Sequence, residues 1–370
     1  MTGIIHRQPN EAAVAERVGG DAMLDMIYAA TQDFYAPIPV ALAGARVYKG
    51  GLLPVDGDED LQRRIRASTH RADVAYAMGG RVVPRMAGGA FASFSALITA
   101  ASGGKRQTLM FTKAGTAGTA GRSNSLWNVG AWPAAGGTGG TTGTGAARTR
   151  TSTGALTQTN PASADTLHVI GGTFQGSVGT QMLLIYDHLW DMTHTMTVDP
   201  RSCDAANPPA RYQTAALAPG NFLSGLVTTV LPAATPTITF DYVDQDGNAV
   251  TGSALSTIAS AAAVNTVPFT APNWFYPLAS TDTGLRSLGN SANAVNLSAA
   301  MASGVVSWFI GHPLLLVPMP TANVPVIIDG INSALALDTI YDNACLALME
   351  LTKGATTATN WWGALQLCAE

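Results

Sequence analysis

Four metal-capable side chains crowd one short run, Asp187, His188, Asp191 and His194. Carboxylates and imidazoles are ligands for divalent ions, so a metal centre is the sharpest chemistry on offer. The spacing opposes it. On a strand, Asp187 and Asp191 share a face but sit about 13 Å apart at roughly 3.3 Å per residue, while ligands must meet within about 2.1 Å of one point. On a helix, Asp187, Asp191 and His194 would converge. Hydrogen-bonded or solvated structural use is the favoured reading. Asp241, Asp244 and Asp246 lack the EF-hand order and its later Glu, and a tight turn accounts for them. Ser102-Gly-Gly-Lys105 is a Gly loop: Thr99 and Arg106 stand where a P-loop needs Gly and Ser/Thr. There is no G-x-S-x-G, and the six histidines have no evident nucleophile partner. The sequence therefore favours no enzyme, no cofactor and no metal.

These side chains depend on the elements that carry them. Met182, Leu184, Tyr186, His188, Trp190, Met192, His194 and Met196 alternate on one side of a strand, and Leu183, Ile185 and Leu189 make its other face apolar in places too. Thr235–Val243, a turn at Asp244–Asn248 and Ala249–Thr251 read as a hairpin, with Asp246-Gly247 supplying the turn chemistry. Further β-like runs lie at Ala294–Leu297, Gly304–Gly311, Leu314–Pro318 and Val324–Ile328. Short strands punctuated by Gly, Pro, Asn and Ser predict a mainly β chain, an antiparallel β-sandwich or jelly-roll-like body, rather than βαβ units.

Three regions follow. Residues 1–87 predict a short α-helical N-terminal segment, with helices at Glu11–Val18, at Asp21–Thr31 and from Asp58, where acids open the helix and Arg63, Arg64 and Arg66 follow. Residues 88–165 are rich in Gly, Thr, Ala and Ser, a composition that predicts a loop or extended arm. Residues 166–370 form the β-rich body, with a helix from Asp338 to Gly354 (a strand pair is the competing reading) and a docking tail at Thr356–Glu370. Trp127 and Trp132 in the arm, and Trp361 and Trp362 in the tail, are large anchors that need burial, on the chain's own core or on a neighbour. These four are the candidate protein-interface residues.

Composition narrows the class. Apolar residues make up 47%, but charged ones only 12%, about half the usual roughly 25%. The net charge of −4 supplies no positive field to gather nucleic acid or anionic lipid. Charge is also uneven: roughly 20 charged residues precede position 86, leaving about 24 for the remaining 285 or so. A chain so poor in ions beyond residue 86 needs other protein as its solvent. Cys203, Cys345 and Cys368 form an odd set with no C-x-x-C, which points to synthesis in a reducing compartment. Neither a secretory leader nor a spanning helix is expected, since Met1–Asn10 has no apolar run and Gly304–Met319 is cut by His312-Pro313.

Gln181–Trp190 and Ile340–Leu348, with Leu126–Pro133, Asn160-Pro161 and Gly311–Leu314, resemble virion structural proteins encoded by tailed bacteriophages. The resemblance spans roughly Leu126 to Leu348 and leaves the first 85 residues outside. It implies a shell, decoration or tail component made in the host cytoplasm and found in the virion. Its implied partners are copies of itself and other virion proteins such as the main capsid protein, with no specific nucleic acid and no membrane. The group defines no site, so no residue role carries over. Among these roles a decoration or minor shell subunit is preferred to the main shell protein or a baseplate part. A host-surface carbohydrate-binding protein is the alternative from another class, with Asp187, Asp191 and Trp190 as its test residues.

Overall fold

The computed structural model describes residues 47–48, 51–52, 91, 94–117, 122–138, 144–162, 165–203, 208–252, 255–270, 273–289, 294–330, 338–351 and 358–370. The chain divides into two compact units, Met1–Gly89 and Ala90–Glu370. In the first, the described residues form one antiparallel pair, β1 (Val47–Tyr48) with β2 (Gly51–Leu52). The helices expected in residues 1–87 lie outside the described residues.

The second unit is mainly antiparallel β, as expected. One sheet runs β17 (Val326–Asp329), β7 (Leu167–Gly176), β20 (Asn360–Ala369), β3 (Arg106–Ala114) and β5 (Ala131–Trp132), with β18 (Thr339–Ile340) also on β7. The other runs β4 (Asn124–Ser125), β19 (Leu346–Leu351), β8 (Gln181–Thr195), β16 (Val305–Met319) and β9 (Phe222–Thr229), with β6 (Ala146–Ala147) also on β8. Eight framework strands follow in chain order: β3, β4, β7, β8, β16, β17, β19, β20. One sheet then reads first, eighth, third, sixth, and the other second, seventh, fourth, fifth. That interleaving is the two-Greek-key order of a jelly roll.

Between the fourth and fifth framework strands the chain builds an insertion. After β9 it forms β10 (Thr237–Phe240), β13 (Ser256–Thr257) and β15 (Val295–Leu297) as one small sheet. A second contains β11 (Tyr242–Asp244), β12 (Ala249–Val250) and β14 (Leu285–Leu288). The expected hairpin is the β11–β12 pair. Its entering run is broken at Asp241, which turns the chain from one small sheet to the other.

β8 and β16 pair over nearly their whole 15-residue lengths, a spine about 50 Å long. Both faces of β8 are covered. Leu183 and Ile185 point into the core between the two large sheets, with Phe174, Trp361 and Leu365 from the opposite sheet. Leu184, Tyr186, Trp190 and Met192 point the other way, into a second core shared with Phe240, Phe269 and Trp308. This is why the sequence showed clean alternation and yet an apolar reverse face.

Three expectations are corrected. The helix from Asp338 to Gly354 is instead β18 and β19: every residue of β19 is buried, so its leucines fill two cores and only mimic helical spacing. The described part of residues 88–165 is folded into the body. Phe94–Ala100 is a helix, α1, running into a π-helical turn at Ala101–Lys105, and β3 lies inside a sheet. Its glycines serve close approach: a Cβ at Gly136 would overlap the Trp127 indole, and one at Gly145 the Trp190 indole. The tail is no arm either, since β20 pairs with both β3 and β7.

Candidate functional site

Because β8 is covered on both sides, any polar group on it must be satisfied internally. Asp187 is fully buried and takes a two-pronged grip from Arg211, whose Nε and Nη2 donate to its two carboxylate oxygens at 2.6 and 2.8 Å. The Cys345 N–H adds a third bond at 2.8 Å. Burial pushes the Asp187 carboxyl up, and Arg211 and the Cys345 amide pull it back. Asp191 is held in the same way by Arg148, Nε and Nη2, at 2.9 and 2.8 Å. Such fork pairs combine charge with fixed geometry.

His188 lies between these pairs, with its ring centroid 4.7 Å from Trp127 and 5.1 Å from Phe309. Burial, and then the charges of Arg148 and Arg211, hold it well below the usual imidazole range, so it is neutral. His194 donates from Nε2 to the Val198 carbonyl at 2.9 Å and accepts at Nδ1 from the Trp308 indole at 3.2 Å. The structure brings Asp187, His188 and Asp191 together but commits both carboxylates to arginines. Among the described residues no three His, Cys, Asp or Glu converge on a metal position. The cluster fastens the segments carrying Arg148, Arg211 and Cys345 to the spine.

The other sequence candidates are structural too. Asp244 Oδ1 accepts from the N–H groups of Asp246 and Asn248, both at 2.8 Å, and Asp241 Oδ1 accepts from the Gly252 N–H at 2.9 Å. Those acids organise turns. Lys105 pairs with Asp165 at 2.8 Å and donates to the Glu370 carbonyl at 2.9 Å, so the Ser102–Lys105 loop is tied to the sandwich.

The four tryptophans divide into two kinds. Trp127 and Trp361 are buried inside the chain itself, which removes them as interface anchors. Trp127 packs on His188 and donates from Nε1 to the Gly137 carbonyl at 2.9 Å; Trp361 points between the two large sheets. Trp132 is 61% exposed and Trp362 is 41% exposed. Both stand on the outward face of the β17–β7–β20–β3–β5 sheet. Trp132 pairs with Thr112, Thr112 with Trp362, and Trp362 with Gln175, so the two indoles share one cross-strand row about 10 Å apart. The adjacent row reads Met110, Ala364, Thr173, Ile327 across four strands. Met110 is 60% exposed and Ile327 is 75% exposed. Neither row contains a charge.

Lys113 was missed by sequence reasoning. It points inward from β3, is buried, and donates from Nζ to the carbonyls of Val129 (2.9 Å), Pro133 (2.7 Å) and Ala134 (3.3 Å). Burial pushes its ammonium down to about 8. It pins the loop that presents Trp132. Nothing local announced this, because its partners are backbone carbonyls 16 to 21 residues away.

No protein-family model and no curated protein matches the chain. A structure of infectious bursal disease virus, Gx strain, aligns with 72% of this chain and 41% of its own, at 12% identity and a TM-score of 0.07, too low to carry any argument. Among the described residues no helix is long and apolar enough to cross a membrane.

Proposed function

We propose that this chain is a structural subunit of a bacteriophage virion, a capsid-associated decoration or minor shell protein that stabilises the particle through protein contacts. Jelly rolls occur in shells and in lectins alike, so the fold alone does not choose. The observation that carries the reading is the pair of uncharged rows on the outward face, with exposed Trp132, Trp362, Met110 and Ile327. Aromatic and Met enrichment with no charge at the centre is the composition of a protein interface core. Copies of this chain and other virion proteins are its partners. The mechanism is cohesion: each contact is modest, and repetition over a shell multiplies it. Densitometry of purified virions is the test. Hundreds of copies per particle support a decoration or shell role, a few indicate a baseplate part, and absence from the particle refutes the proposal.

A second reading, a host-surface carbohydrate binder, draws on the two indoles in one row with Thr112 and Gln175 beside them. The pair first considered for such a role, Asp187 and Asp191, is buried against arginines. A glycan array with binding lost in Trp362→Ala would favour this reading.

A further inference from the structure

We infer that the insertion governs how Trp132 is presented: Arg211 is a positioning residue that holds the Trp132 loop through Arg148. The inference rests on the assembly reading above for the role of Trp132, and adds a control over it.

Strain in the loop comes first. Trp132 stands 61% exposed, and the residue before it, Ala131, has a φ of 125°. Residues with a Cβ rarely adopt a positive φ, and such a conformation persists only where the surroundings over-determine it. The loop is therefore seated by what grips it. Lys113 holds the carbonyls of Val129, Pro133 and Ala134. A second grip acts at Gly136 and Gly137. The Gly136 N–H donates to the Trp127 carbonyl at 2.7 Å, and the Gly137 carbonyl accepts from the Trp127 indole at 2.9 Å and from Arg148 Nη2 at 2.8 Å.

That second grip leads into the insertion. The Arg148 guanidinium, besides holding Asp191, lies over the Trp127 ring, 5.5 Å from its centroid. Its own backbone is clamped on both sides. The Arg148 N–H donates to the Leu189 carbonyl of the spine at 2.9 Å, and the Arg148 carbonyl accepts from Arg211 Nη2 at 2.8 Å. The same Arg211 nitrogen donates to Asp187. Arg211 lies between β8 and β9, where the insertion begins, and the next residue, Tyr212, is also at positive φ, 57°. Asn221 Nδ2 donates to the carbonyls of Tyr212 and of Leu285 in β14, both at 2.9 Å. One hydrogen-bonded path thus runs from β14 through Asn221, Tyr212, Arg211 and Arg148 to Gly137, with strained backbone at Tyr212 and in the loop it reaches. A shift of the insertion that draws Arg211 off the Arg148 carbonyl loosens the second grip, and the strain at Ala131 then favours release of Trp132.

The test uses the free full chain. Arg211→Lys keeps a cation beside Asp187 but replaces a fork by a point charge, which does not also hold the Arg148 carbonyl. Amide exchange in residues 131–137 should accelerate at least tenfold, and in chain labelled with 5-fluorotryptophan the Trp132 resonance should shift or broaden while that of Trp362 stays. Ile238→Val, which opens a small cavity in the insertion's own core, lowers stability without touching the path and should leave both readouts unchanged. Unchanged exchange at 131–137 in Arg211→Lys, or equal acceleration in Ile238→Val, overturns the inference. If Arg211→Lys does not fold, the unaltered chain decides. In native-state exchange under rising denaturant, residues 131–137 and 211–221 should open with one shared free energy, below that of β8. Separate energies, or opening only together with β8, overturn the inference. The virion copy count is independent of these readouts. The path in a chain absent from virions refutes the assembly reading alone, and an abundant virion chain without the path refutes this inference alone.

Discussion

Buried charges on β8 are affordable only because each carboxylate meets a guanidinium. Removing one partner strands the other, so Arg211→Met should cost about 3–5 kcal/mol in urea unfolding at pH 7. An unchanged denaturation midpoint would show that the pair does not hold the insertion to the spine. The buried imidazoles set a pH dependence. His312 stacks on Tyr212 at 3.8 Å, and burial pushes it down to about 4. An unfolded chain takes up that proton near pH 6.5, so between about 6.5 and 4 the unfolded state binds more protons and stability is lost as pH falls. His188 and His194 are also held low and act with the same sign. Asp338, raised by burial to about 6, acts oppositely between about 6 and 4, as does Asp187, also raised by burial, and the two offset part of the imidazole effect. Tm should be lower at pH 5 than at pH 7, and His312→Gln should flatten that slope. At this scale the sequence displayed Asp187 and Asp191 but not their partners. Arg148 and Arg211 lie 43 and 24 residues away along the chain, and only the fold brings them together.

Alternation at Met182–Met196 was legible as a strand because one face runs in large apolar and aromatic residues while Asp187, Asp191 and Thr193 interrupt the other. The run at Leu346–Leu351 was not, because both of its faces are buried and apolar apart from Glu350, so its leucines carry no strand period and fall at helix-like spacing. The Gly/Thr-rich stretch misled for another reason: composition reports the backbone freedom of glycine but not the ring that its missing side chain admits. Gly145→Ala should therefore destabilise by about 1–3 kcal/mol through overpacking against Trp190, with a shift in tryptophan emission. A neutral effect would mean that glycine there serves only as a loop residue. Lys113→Met should leave the Val129, Pro133 and Ala134 carbonyls without their common donor. Amide exchange in residues 129–134 should accelerate while β3 stays protected, and equal rates would deny Lys113 its hold on the Trp132 loop.

The unit Ala90–Glu370 is a jelly roll interrupted between its fourth and fifth framework strands by a small β module, with one long strand pair serving both. The scarcity of charge beyond residue 86 was visible in the sequence, but its location on the surface was not. Pairing register places Trp132, Trp362, Met110 and Ile327 on one sheet face, although they are spread over more than 250 positions. The account stands on that face being covered in the assembled state. Hydroxyl-radical footprinting of purified virions against the dissociated chain measures this directly. Oxidation of Trp132 and Trp362 should drop several-fold in the particle while exposed Leu255 in the insertion changes little. Equal oxidation of both tryptophans in particle and free chain would contradict it.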